Sequence, residues 1–229
     1  MHIITASYHG NPNVGLFGWA NNKICLLGKG FKHKYVQEIQ NALKVPVYQI
    51  SLCETDLIGI FCVGNNNGIV VPSLITPNEE KELERICHKA GMTLTVVSTE
   101  LTALGNNILC NDFSALVNPE FSARVKKIIR QALNVRLNPG TIAEHGITGS
   151  LCVIRDNFAV TTRSITDPEE AKLQELFGVT CFKGTLNFGS PNIRSGMIIN
   201  SNGFVIGDMS TGIEITDIDE ALGFLEQTN

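Results

Sequence analysis

Short apolar runs separated by polar turns recur along the chain. The segments "FGWANNKICLL", "FCVGNNNGIVV", "ILCNDFSALV", "LCVIRDNFAV" and "MIINSNGFVI" each place a turn rich in Asn or Asp between two apolar runs. That is the pattern of two strands joined by a hairpin. The turns centre near Lys23, Gly68, Ser114, Phe158 and Gly203, separated by 45, 46, 44 and 45 residues. A fixed period of this length predicts five structural repeats.

Behind the hairpins the apolar spacing changes from strand-like to helical. Val36, Ile39 and Leu43 predict a helix in the first repeat. The stripes Leu83, Ile86, Cys87, Ala90, then Val125, Ile128, Ile129, Leu133, and finally Ile215, Ile218, Leu222, Leu225 predict others. Thr76 to Glu79 and Thr211 to Glu214 have the spacing of capping boxes, while Asn118-Pro119 and Asp167-Pro168 are expected to open helices too. Extended segments beginning near Pro46, Met92, Arg136 and Thr180 complete four repeats, and His2 to Tyr8 is expected to supply the matching strand of the fifth. A unit of strand, strand, helix and strand cannot bury its own apolar face, so five such units need a common core. The predicted fold is a closed α/β ring with five-fold pseudosymmetry, one domain over residues 1–229.

Composition agrees with a packed chain: 43% of the 229 residues are hydrophobic and 17% charged. The net charge of -4 opposes indiscriminate attraction to nucleic acid. Two basic clusters run against it, Lys23, Lys29, Lys32 and Lys34 in the first repeat and Arg124, Lys126, Lys127, Arg130 and Arg136 in the third. Residues 204–229 hold six acidic side chains and no Lys or Arg. The N-terminus lacks a secretory pattern and no apolar run has membrane-spanning length, so a cytoplasmic protein with no membrane association is expected. Seven cysteines without a C-x-x-C pair point to free, packed thiols.

Candidate chemistry is sparse. "GKGF" at 28–31 lacks the spacing of a phosphate loop, and the Asn65-Asn66-Asn67-Gly68 run is expected to form a hairpin turn needing a positive backbone angle. Asp112, Glu144 and Asp156 lie in different repeats and form no ligand motif, so neither a metal nor another cofactor is expected. Binding has a better basis. Repetition brings Gly15, Gly59, Gly105 and Gly149 to one end of the ring, where Ile58, Ile60, Asn106 and Thr148 offer apolar and hydrogen-bonding contact.

Four ordered segments carry a family likeness: "LIGIFCVGNNNGIVVP" at 57–72, "LTALGNNILCNDFSALVNPE" at 101–120, "NPGTIAEHGITGS" at 138–150 and "GTLNFGS" at 184–190. Across residues 1–225 the chain resembles archaeal and eukaryotic translation initiation factor 6. The resemblance implies a pentein ring, no catalytic activity, binding to the large ribosomal subunit and prevention of its premature joining to the small one. In eukaryotes it also implies late large-subunit maturation. Asn106, after Gly105 in "LGNN", is the residue that the resemblance most favours at the interface. A protein-rich ribosomal surface with some rRNA contact and a monomeric factor are the expected partner and state. Phe158 and Arg194 depart from the family pattern, and the short end at Asn229 is closer to archaeal members.

The competing expectation is enzymatic. The pentein architecture also resembles that of guanidine-modifying hydrolases and transferases, which combine a cysteine nucleophile with histidine and acidic groups. Cys110 with Asp112, and His145 after Glu144, are the residues of those types. The equal offsets of Cys62 from Gly59 and of Cys152 from Gly149 read instead as packed strand positions.

Overall fold

A computed structural model describes residues 2–225. The chain opens with β1 (Ile3–Ala6), and the first unit contains β2 (Gly18–Ala20), β3 (Cys25–Gly28), α1 (His33–Leu43) and β4 (Val47–Ile50). The second begins with a single helical turn, α2 (Ile58–Phe61), then β5 (Val63–Gly64), β6 (Gly68–Pro72), α3 (Pro77–Lys89) and β7 (Thr93–Val97). The third repeats this order in α4 (Leu104–Asn107), β8 (Ile108–Cys110), β9 (Ser114–Val117), α5 (Ala123–Leu133) and β10 (Arg136–Pro139). The fourth follows with α6 (Thr148–Leu151), β11 (Cys152–Arg155), β12 (Phe158–Thr162), α7 (Asp167–Phe177) and β13 (Thr180–Gly184). The fifth has β14 (Met197–Asn200), β15 (Gly203–Gly207) and α8 (Gly212–Ala221). Tight 3-10 turns, Val14–Leu16 and Arg194–Gly196, replace the helical turn in the first and fifth units.

Each unit makes one three-stranded sheet, a hairpin plus a parallel strand reached through the helix. The fifth sheet borrows β1: Ile3 pairs with Phe204 and Ala6 with Gly207, so the start of the chain completes the last unit. The opening turns of neighbouring units touch in sequence, from the first through α2, α4 and α6 to the Arg194–Gly196 turn and back, which closes the ring. Cores straddle unit boundaries. Trp19, Ile24 and Leu26 of the first unit pack with Ile69, Leu83, Ile86 and Cys87 of the second, so no unit completes its apolar surface alone.

Local chemistry sets the element ends. Thr76 with Glu79 and Thr211 with Glu214 form the expected capping boxes. Thr166 with Glu169 forms a third, which moves the cap one residue ahead of Asp167 and leaves Pro168 in the first turn, where no amide hydrogen is needed. Asn118-Pro119 does not open a helix. Asn118 is buried, its amide donates to Asn107 Oδ1, and Ser122 caps α5 instead through a bond from the Val125 amide. The last stripe is also shorter than its spacing suggests. α8 ends at Ala221, Gly223 takes φ +70°, and exposed Leu225 lies past the helix while Phe224 is buried. The Phe158 ring fills the space a side chain at Gly223 would need.

The hairpin asparagines work differently from expectation. None of Asn65, Asn66, Asn67 or Gly68 has positive φ. Asn65 Oδ1 accepts the amides of Asn67 and Gly68, and Asn21, Asn111 and Asn200 make the same pair of bonds in their turns. Their amide hydrogens link neighbouring turns: Asn200 to Asn21 O, Asn21 to Asn65 O, Asn65 to Asn111 O. In the fourth unit Arg155 holds this position and donates to Ser201 O.

Candidate functional site

The sheets give the ring two unlike ends. Strand register places the hairpin turns at one end, and the opening turns, the loops after each third strand and the helix N-termini at the other. Gly15, Gly59, Gly105 and Gly149 all fall at this second end. A Cβ on Gly59 would sit closer than 3.0 Å to Gly15 O, one on Gly105 to Gly59 O, one on Gly149 to Gly105 O, and one on Gly15 to Arg194 O. The glycines therefore let the five opening turns stack backbone against backbone around the axis.

That packing separates the eight candidate residues. Gly15, Ile58, Gly59, Gly105, Thr148 and Gly149 are buried within the chain, and Thr148 Oγ1 donates to Leu116 O at 3.0 Å. Ile60 and Asn106 are half-buried and open to a partner. They share one position with Leu16 and Ser150, directly after the ring glycine, and with Ser195, which follows Arg194 in the fifth unit. The hydroxyls of Ser150 and Ser195 donate to Ile147 O and Asn192 O, whereas the Asn106 side chain makes no hydrogen bond among the described residues. It can bond outward without breaking anything inward.

Residues that the repeat pattern did not single out extend this end. Leu74, Ile147, Phe188, Met209 and Ile213 are exposed large apolar side chains, and all lie in the loops or first helical turns there. Glu214, next to Ile213 at the start of α8, accepts the Phe188 and Gly189 amides and so ties the Phe188 loop to this helix. The signal in the sequence was an apolar residue inside a cap or turn motif, as in "TGIE" and "NFGS". The basic clusters divide between the ends. Lys29, Lys32, Lys34, Arg124, Lys126 and Lys127 lie towards the glycine end, and Lys23, Arg130 and Arg136 towards the hairpins.

The sequence pattern of the eIF-6 family matches residues 3–221. The chain belongs to that family. "Translation initiation factor 6" of Pyrococcus furiosus is 38% identical over 227 residues, 98% of this chain and 100% of the relative. The protein of the same name from Pyrococcus horikoshii is 35% identical over equal shares of both chains. Among solved structures, a dimethylarginine dimethylaminohydrolase adduct superposes with TM-score 0.52 at 12% identity, covering 74% of this chain and 67% of that one. The N-terminal domain of ArgZ superposes with TM-score 0.50 at 11% identity, covering 84% and 72%. These distant likenesses show the pentein fold.

In this eIF-6 family chain the cysteine chemistry of a hydrolase does not assemble. Burial pushes the Cys110 thiol up to about 12, beyond what nearby Arg194 and its bond to Gly64 O offset. Cys62 and Cys152 are fully buried, and burial pushes both thiols up as well. A nucleophile needs the thiolate. His145 lies in the exposed loop after β10, at the end of the sheet opposite Cys110. Asp112 receives the Asn66 amide and side chain, and Asp156 receives Ser201 Oγ, so both serve the hairpin contacts, while Glu144 lies at the other end. No group of three metal-ligating side chains occurs among the described residues. No helix among them is long and apolar enough to cross a membrane.

Proposed function

We propose that this chain is a noncatalytic translation factor that binds the large ribosomal subunit through the glycine end of its ring. Its volume then blocks the surface that the small subunit needs. The observation that carries this reading is the family match over nearly the whole chain, with relatives named as translation initiation factor 6. The geometry supports the choice of end. The Asn106 side-chain amide has no hydrogen-bond partner among the described residues, Ile60 in the neighbouring opening turn is accessible, and five of the eight exposed large apolar side chains lie at the same end of the ring. Such a mixed patch fits a protein surface better than bare RNA. Lys29, Lys32 and Lys34 at the same end would meet neighbouring rRNA phosphates as a peripheral contact. The factor acts as a monomer in the cytoplasm.

Sedimentation with purified subunits tests the reading. Saturable retention by large subunits is expected, with joined particles declining in proportion to occupancy when small subunits are added. Equal retention by small subunits, or no saturation, defeats the recognition. Unchanged joining despite binding defeats the blocking mechanism.

A further inference from the structure

Arg194 occupies the ring position that glycine holds in the other four units, and it places a cation inside the axis. The first strands of the units enclose a cavity of about 80 Å³ lined by Arg194 together with Trp19, Val63, Cys110, Val153 and Ile198, among others. Arg194 Nη2 is fully buried and has no hydrogen-bond partner among the described residues, and the guanidinium forms no ion pair with them. The groups that act on it electrostatically are the thiols of Cys110 and Cys62. Both are neutral near pH 7, because burial pushes them up, Cys110 to about 12. A guanidinium keeps its proton even when burial disfavours the charge. A cation held out of water without a counter-charge is costly, and the described residues supply none here.

We propose that the axial cavity beside Arg194 binds a small monovalent anion of the halide class. The space exceeds what one water requires, so an ion with a remnant of its hydration fits. One guanidinium balances one negative charge. Besides Arg194, the side chains of the wall are aliphatic except for Trp19 and two cysteines, so few side-chain donors remain for the several oxygens of a phosphate or sulfate. The Cys110 thiol is already committed to Gly64 O. Ala20, Gly64, Cys110, Ile154 and Ile199 also line a wider cavity of about 170 Å³ at the hairpin end, so the two cavities adjoin. Asp112, Asp156 and Arg155 line that wider cavity, and the surplus negative charge repels a polyanion more strongly than a single charge.

Thermal unfolding of the full chain at fixed ionic strength, with chloride or bromide replacing gluconate, reads the site. Binding stabilises the folded state, and a tenfold excess over the Kd raises Tm by about 3–6 °C in a chain of this size. The rise saturates. Arg194→Met keeps the length and removes the charge, so its Tm stays flat across the same exchange. Anomalous diffraction from bromide-soaked crystals of the parent protein needs no variant and places a peak against the Arg194 guanidinium. Bromide confined to the outer surface, no saturable rise in the parent, or an equal rise in Arg194→Met would each overturn the proposal.

Discussion

Gly59 lies so close to Gly15 that a Cβ on the former would press into the carbonyl oxygen of the latter. Neither group can yield, since both are backbone atoms of turns that the ring closure fixes. Gly59→Ala should therefore destabilise at the upper end of overpacking costs, about 3 kcal/mol. Gly212 provides the contrast, because its φ is not positive and nothing lies within 4 Å of an added Cβ. Gly212→Ala should leave stability unchanged or raise it by up to about 1 kcal/mol. Urea unfolding of both variants decides whether the glycines are steric keystones. Equal, small effects would refute that role.

Arg155 replaces the linking asparagine in the fourth hairpin and takes over more than one bond. It is 3% exposed, donates to Leu222 O and Ser201 O, and lies 3.8 Å from the Phe224 ring centroid. Arg155→Met retains most of the packing but strips the buried Leu222 carbonyl and the partly buried Ser201 carbonyl of this donor. A loss of about 3 kcal/mol is expected from that exchange. Arg155→Lys should recover part of it, because an ammonium reaches one carbonyl but lacks the planar fork. If Met and Lys variants unfold at the same denaturant concentration, packing and not hydrogen bonding sets the effect.

The repeat was legible because its cause is local and periodic. Hairpin turns, apolar stripes and the Thr76 and Thr211 boxes all depend on residues within a few positions of one another. The fate of the glycines was not legible in the same way. Their spacing brought them to one end, but whether Gly59 faces a partner or Gly15 depends on ring closure across units. Asn65 misled for a related reason, since its residue type suits both a left-handed backbone and a side-chain-closed turn. Asn118-Pro119 had a plausible helix start in composition, yet Asn107, eleven residues earlier, claims the Asn118 amide. Phe188 and Ile213 sit in different motifs, and the bonds from the Phe188 and Gly189 amides to Glu214 cross the chain.

Acid should weaken the ring through the capping carboxylates. Burial raises the Glu169 pKa, but bonds from Thr141, the Glu144 and Thr166 amides and Thr166 Oγ1 outweigh it and hold the group at about 2. An unfolded glutamate titrates near pH 4.3. The folded value is the lower one, so this contribution is full above about pH 5 and disappears as pH falls through about 2. It amounts to about 2 kcal/mol after allowance for partial exposure. Chemical unfolding of parent and Glu169→Gln from pH 6 to pH 2 should show their difference shrinking with acid. Parallel curves would exclude Glu169 as a source of acid sensitivity.

Asn106 and Asn107 are neighbours in one helical turn with opposite roles, which makes them a matched test of the interface. Asn107 is buried, donates to Ala103 O at 2.9 Å and accepts the Asn118 amide at 2.7 Å. Asn107→Ala should lose about 1–3 kcal/mol of folding stability, because Asn118 keeps a buried donor without an acceptor. The Asn106 side chain makes no hydrogen bond among the described residues, so Asn106→Ala should preserve the unfolding midpoint. If a large-subunit group is desolvated against that amide, association should weaken by about 1–3 kcal/mol, or roughly 5- to 150-fold in Kd. Binding isotherms with purified large subunits, measured after matching thermal stability, separate the two residues. An unchanged affinity for Asn106→Ala rejects it as an energetic anchor. Weaker binding accompanied by a lowered unfolding midpoint would instead assign Asn106 the architectural role held by Asn107.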